Sequence, residues 1–156
     1  MEFTTDIFSA FDKKWALLTA GTIDKFNTMT ISWGGMGTIW NKPAVTVYVR
    51  PSRYTFGFME ESEYFTVSFY PEEYRKDLAL LGRLSGRDGD KLAKTALKAF
   101  EVEHGVSFKG AECTLVCRKL YSQSLEKAGM LPEIAEGSER EDVHRMYIGE
   151  VVEIIK

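Results

Sequence analysis

The sequence predicts a mainly β, α+β domain, a barrel of short strands with helices on its outside. Three observations carry this. Short stretches alternate polar and apolar residues over the first two-fifths of the chain, a helical interlude follows, and the β pattern returns from about residue 111 to the end. Strands at such short spacing with one helical block point away from an alternating parallel sheet.

In chain order, Trp15–Gly21 is short and apolar, Asn27–Trp33 alternates with β-branched residues, and Ala44–Val49 alternates valines with Thr46 and Tyr48. Asp24-Lys25 and Asn41-Lys42-Pro43 supply turns. Pro51 stops the third strand, and Ser52 is placed to cap a helix over Arg53–Glu61. Tyr64–Tyr70 is a further strand with Phe65, Val67 and Phe69 on one side. Helices are expected at Glu72–Leu81 and Asp90–Ala99, flanking the polar loop Ser85–Gly89. Strands then run from Ala111 to about Leu125 and from Arg145 to Ile155, around an exposed charged excursion at Lys127–Asp142. There is no repeat or linker, so residues 1–156 are expected to form one domain.

The 156 residues are enough to bury a core without metal or disulfide. A net charge of −3 argues against a nucleic-acid partner. No apolar run approaches the roughly 20 residues that span a membrane. The N-terminus has no secretory pattern, so the cytoplasm is the expected location. Cys113 and Cys117, four apart on a strand, lie too far from each other for a disulfide and read as buried thiols. Two cysteines and two histidines at scattered positions make no metal signature.

The charge pattern locates function. Lys25–Met59 contains no acidic residue, where about five would be expected, yet it holds Lys25, Lys42, Arg50 and Arg53. Arg50, Ser52, Arg53, Tyr54 and Thr55 combine guanidinium groups, hydroxyls and helix-start N–H groups, the donors a phosphate needs. Gly34-Gly35-Met36-Gly37-Thr38 lacks dinucleotide spacing and leads into a strand-like stretch, Thr38–Trp40. A bulge or hairpin beside a ligand or a second chain fits it better. On Asn27–Trp33, Thr28, Thr30 and Ser32 share one face. That face either hydrogen-bonds a planar heterocycle, with Trp33 covering the ring, or points its threonines to solvent from an edge strand.

Together, Asn27–Thr30, Ser32-Trp33-Gly34, Arg50–Thr55, Ser85–Lys91 and His144–Val151 resemble the FMN-binding region of flavin reductase-like proteins, especially the flavoredoxin branch. The resemblance implies a Greek-key split β-barrel with flanking helices and a homodimer with FMN near the subunit interface. By position it implies Asn27, Thr28, Met29 and Thr30 along the isoalloxazine, with Ser32 and Trp33 beside it. It puts Arg50, Ser52, Arg53, Tyr54 and Thr55 on the phosphate, with Ser85, Gly86, Arg87 and Lys91 closing the site. His144 matches a family histidine on the nicotinamide side, either a proton relay or a positioning group, against the simpler reading of a structural hydrogen-bonder.

The activity implied is hydride transfer from NADH or NADPH to flavin, chemistry that needs no nucleophile or triad. Two other readings stand beside it: an electron carrier served by a redox protein partner, and a split-barrel binding protein for another ligand such as haem.

Overall fold

A computed structural model describes residues 1–137 and 142–156. Among these, the strands are β1 (Ala16–Thr22), β2 (Lys25–Ile31), β3 (Gly34–Ile39), β4 (Lys42–Val49), β5 (Tyr64–Phe69), β6 (Ala99–Val102), β7 (Gly105–Phe108), β8 (Cys113–Ser124) and β9 (Arg145–Ile155). The helices are α1 (Ile7–Asp12), α2 (Thr55–Glu61), α3 (Arg75–Arg83) and α4 (Pro132–Gly137).

Seven strands form one antiparallel sheet in the order β2-β1-β5-β8-β9-β4-β3, and β6 pairs with β7 in a separate hairpin. The edge strands β2 and β3 are consecutive in the chain, separated only by Ser32 and Trp33. Three peptide units span at most about 11 Å. The sheet must therefore curl until its two edges nearly meet, although no ladder joins them among the described residues. This is a split barrel, and the split is at Ser32-Trp33.

The barrel interior is filled by Leu18, Met29, Val47, Phe65, Leu115 and Tyr147, with Phe11 of α1 plugging one end. Gly34 passes so close to the Phe11 ring that any side chain there would strike it. A second cluster, with Leu17, Leu78, Leu81, Val106 and Phe108, seals the outside of β1 under α3 and the β6–β7 hairpin. Cys113 and Cys117 are buried free thiols, and burial raises both above the ordinary thiol range. No helix among the described residues is long and apolar enough to cross a membrane.

The expected strands are present, most closely at Arg145–Ile155. One expected element is absent. Asp90–Ala99 is not a helix: it holds one 3-10 turn at Leu92–Lys94 and then enters β6. The reason is local competition. The Asp90 carboxylate accepts from the Ala93 N–H, Thr95 Oγ1 donates to the Leu92 carbonyl and also accepts from the Leu97 N–H, and Asp77 of α3 takes the Ala96 N–H. The glycine run belongs to a regular edge strand, and the β3–β4 turn falls on Trp40-Asn41, both with positive φ (52° and 58°) as a two-residue hairpin requires. The excursion contains a 3-10 turn at Lys127–Gly129 and the short α4, and its residues 138–141 lie outside the described residues.

Candidate functional site

Leaving β4, the chain turns through Arg50–Arg53: the Arg53 N–H donates to the Arg50 carbonyl at 3.0 Å, and the Phe56 N–H to the Arg53 carbonyl at 3.0 Å. This extra turn delays α2 until Thr55, with Tyr54 at the N-cap and no side-chain cap. Ser52 therefore does not cap the helix, and the Arg53 N–H does not converge with its neighbours on an anion. Instead the exposed Ser52 offers its carbonyl, which accepts from Arg87 Nη1 at 2.8 Å. Thr55 is buried, and its Oγ1 accepts from Asn27 Nδ2 at 2.7 Å.

The Ser85–Lys91 loop closes over this corner. Ser85 Oγ accepts from the Arg87 N–H at 3.2 Å and starts a single 3-10 turn. Gly86 abuts the Asn27 amide and the Tyr54 ring, so closely that a Cβ would collide with both. The Arg87 guanidinium lies over Tyr54 at 5.5 Å. Arg53 Nη1 donates to the Gly82 carbonyl at 3.3 Å, and Lys91 Nζ to the carbonyls of Leu81 (3.1 Å) and Leu84 (3.2 Å). Both cations thus cap the C-terminal end of α3, where the helix dipole favours positive charge.

Lys91 is only 6% exposed. Burial, then the nearby Arg53, pushes its ammonium down to about 8. Arg53 is itself lowered by burial and by Arg50. Among the described residues none of Arg53, Arg87 and Lys91 forms a salt bridge; the ion pairs seen, such as Lys42–Glu150 and Arg145–Glu60, lie elsewhere. Cations so arranged, with carbonyl partners only, can hold an anion.

Along β2 the hydroxyls of Thr28 and Thr30 are on the face away from the barrel interior. Thr28 Oγ1 donates to the Leu18 carbonyl (3.2 Å) and pairs with Thr19 Oγ1 (2.9 Å), while Thr30 donates to the Leu78 carbonyl. Met29 packs in the barrel. The reading with the threonines in solvent does not hold: β2 is an edge strand, but Thr28 is buried and α3 covers this face and takes up the hydroxyl of Thr30. Ser32 and Trp33 lie just beyond the strand, at the split. Trp33 is 58% exposed and tilts against His144, ring centroids 4.6 Å apart. Phe8, Gly35, Tyr48 and Leu125 join Ser32 and Trp33 around a cavity of about 1100 Å³.

The expected residues therefore fall into two groups at opposite ends of β2. Asn27, Tyr54, Thr55, Arg53, Gly86, Arg87 and Lys91 gather at one end, and Ser32, Trp33 and His144 at the other, roughly 20 Å of extended chain away. Sequence reasoning missed the β6–β7 hairpin and α1. The signals were present: a two-residue Glu103-His104 turn between alternating stretches, and Asp6, whose carboxylate accepts from the Ser9 N–H.

Comparison with known proteins agrees with this architecture. Flavoredoxin from Methanosarcina acetivorans superposes with a TM-score of 0.69 at 24% identity, over 92% of this chain and 68% of that one. An FMN-binding protein from Thermus thermophilus with bound p-hydroxybenzaldehyde gives 0.72 at 22% identity, over 91% and 70%. Nitrilotriacetate monooxygenase component B from Bacillus cereus gives 0.70 at 19%, over 90% and 67%. Identities this low speak for a common fold. No curated protein matches the chain by sequence. The profile described as "Flavin reductase like domain" matches residues 8–155, and with nearly every residue of the split barrel inside that match, the chain belongs to the flavin reductase-like family.

Proposed function

We propose that this chain is an FMN-binding oxidoreductase that works as a homodimer and takes reducing equivalents from NADH or NADPH. The observation that carries the proposal is the cluster of buried Lys91, half-buried Arg53 and exposed Arg87, without carboxylate partners among the described residues, one strand length from an aromatic-lined split. The cluster suits a phosphate, and β2, running from it towards the split, offers an edge along which an attached planar ring can lie. The donor set fits FMN: guanidinium and ammonium groups for the phosphate, and an exposed indole for the ring. Bound FMN supplies the redox chemistry, accepting a hydride from reduced nicotinamide.

The protein's own residues then bind and orient. Arg53, Arg87 and Lys91 neutralise the phosphate, each giving up or sharing a carbonyl contact. Asn27 holds β2 to α2 through Thr55, which fixes the corner against the strand. Trp33 and His144 shield the ring end from water, and His144 positions the nicotinamide or carries a proton there. Residues 1–156 act as one domain. A second copy covers Phe8, which is 88% exposed beside the split, along with Trp33.

The neighbouring reading, an electron carrier that receives electrons from a redox protein, is favoured by Leu131 and Ile134, large apolar side chains exposed around α4. Anaerobic stopped-flow mixing separates the two. Bleaching of the flavin band by NADH or NADPH supports the reductase, and no bleaching by either overturns it. Arg53→Ala should weaken FMN far more than riboflavin, which lacks the phosphate; equal loss for both ligands means the phosphate lies elsewhere.

A further inference from the structure

The negative charge of this chain is concentrated in one place, the excursion between β8 and β9. Residues 126–142 carry six acids and two bases, where the whole chain carries 23 and 20. The rest of the chain is therefore close to neutral, and the net charge of −3 belongs to this segment.

Large apolar side chains are exposed within it. Leu131 is 65% exposed and Ile134 54%. They stand three residues apart where α4 opens, and so share one face of the turn. The exposed Glu133 and Glu136 run beside them at the same spacing. An exposed apolar patch with a charged rim is the surface a protein partner docks on.

The excursion is rooted at the split. Leu125, where the chain leaves β8, is exposed and lines the cavity there. Its N–H donates to the His144 carbonyl at 3.0 Å, and the His144 ring lies against Trp33. A partner seated on α4 therefore stands next to the end of the site towards which the flavin ring points.

Charge selects the occupant. A second copy docked on the same patch about a two-fold axis would set this negative segment against itself. A partner whose contact face is rich in Lys and Arg is attracted by each of these carboxylates. We infer that the excursion docks a basic one-electron redox protein and brings its redox centre beside the split. The inference rests on the flavin reading above and names the kind of partner that exchanges electrons with that flavin. When the reduced flavin is the donor, two partner molecules take one electron each, the flavin returns to its oxidised form, and its protons pass to water.

Ferric cytochrome c, a basic haem protein, is the probe. The FMN-loaded chain is reduced anaerobically with dithionite, so that no nicotinamide is needed, and haem reduction is followed by stopped flow at several ionic strengths. The parent's rate constant should fall about tenfold or more from low to physiological salt. Glu133→Lys/Glu136→Lys should react about tenfold more slowly at low salt and lose most of the salt dependence. Glu72→Lys/Glu73→Lys makes an equal change of net charge at the exposed 3-10 turn before α3, and should stay within about twofold of the parent. With ferricyanide, a small anion, the excursion variant should react at least as fast as the parent.

Equal slowing in the two variants overturns the inference, because net charge alone then accounts for it. So does a parent rate indifferent to salt, or slowing of the excursion variant with ferricyanide as well, which traces the defect to the flavin. Slowing accompanied by a change in sedimentation makes the patch a contact between copies and also overturns it. In each of these cases the chain still holds FMN and the flavin reading stands. A parent chain that binds no FMN overturns the flavin reading and this inference together.

Discussion

Replacing Lys91 by Met separates a residue kept for a ligand from one kept for the fold. The ammonium is buried against the carbonyls of Leu81 and Leu84, with Arg53 as its charged neighbour. Its fall to about 8 means that the folded protein disfavours the charged form by about 3 kcal/mol. Met keeps the length and apolar stem of the side chain and removes the charge. It leaves two helix-end carbonyls without this donor, at about 1 kcal/mol each. The flavin-free variant should therefore be at least as stable as the parent at pH 7 in urea denaturation.

The pH dependence has a definite sign. Below about 8 the folded lysine is charged and bears the whole penalty. As pH rises from there towards the ordinary lysine range, the folded chain releases a proton that the unfolded chain keeps, and the penalty fades. The variant's advantage should be largest near neutrality and shrink above pH 8. FMN, by contrast, should bind the variant about 10- to 100-fold more weakly, the worth of one charge-assisted contact, with riboflavin little affected. A variant destabilised by more than about 3 kcal/mol, with its FMN-to-riboflavin ratio intact, would refute the argument and make Lys91 a structural cap.

Gly149→Ala places a methyl group against the Phe65 ring and the Cys117 Cβ, so it should cost about 1–3 kcal/mol by calorimetry. An unchanged Tm would show that Phe65 can swing aside. Tyr147→Phe removes the 2.6 Å hydrogen bond that the hydroxyl donates to Glu60 Oε1. Since Glu60 keeps its 2.7 Å ion pair with Arg145, the loss should stay near 1–2 kcal/mol in urea. Phe8→Glu puts a charge on the apolar rim of the split without touching the core; if the proposed homodimer forms there, sedimentation velocity should show dimer for the parent and monomer for the variant, and a dimer in both places the interface elsewhere.

Strands whose outer face meets water or polar groups were legible because alternation is a local signal, as in Ala44–Val49 and Arg145–Ile155. Asp90–Ala99 was not, because Leu92, Ala96 and Ala99 imitate helical spacing while Asp90, Thr95 and the distant Asp77 claim the backbone groups a helix needs. The charge gap between Lys25 and Met59 pointed to the cationic corner, but not to its construction. Asn27 meets Thr55 across 28 residues, and Arg53 meets Gly82 across 29. Ser52 looked like a cap because serine is among the residues preferred at a helix N-cap. The turn bonding Arg53 to Arg50 is what displaced it.

The two-residue link at Ser32-Trp33 has a bearing on solubility. An open seven-stranded sheet would present two free borders, each a template for pairing with another molecule. Here a covalent tether holds both borders side by side, one of them the glycine-rich β3, where Gly35 and Gly37 offer no side chain to block an incoming strand. Lengthening the tether by a few residues would let the borders part, and the first consequence would be self-association through β3.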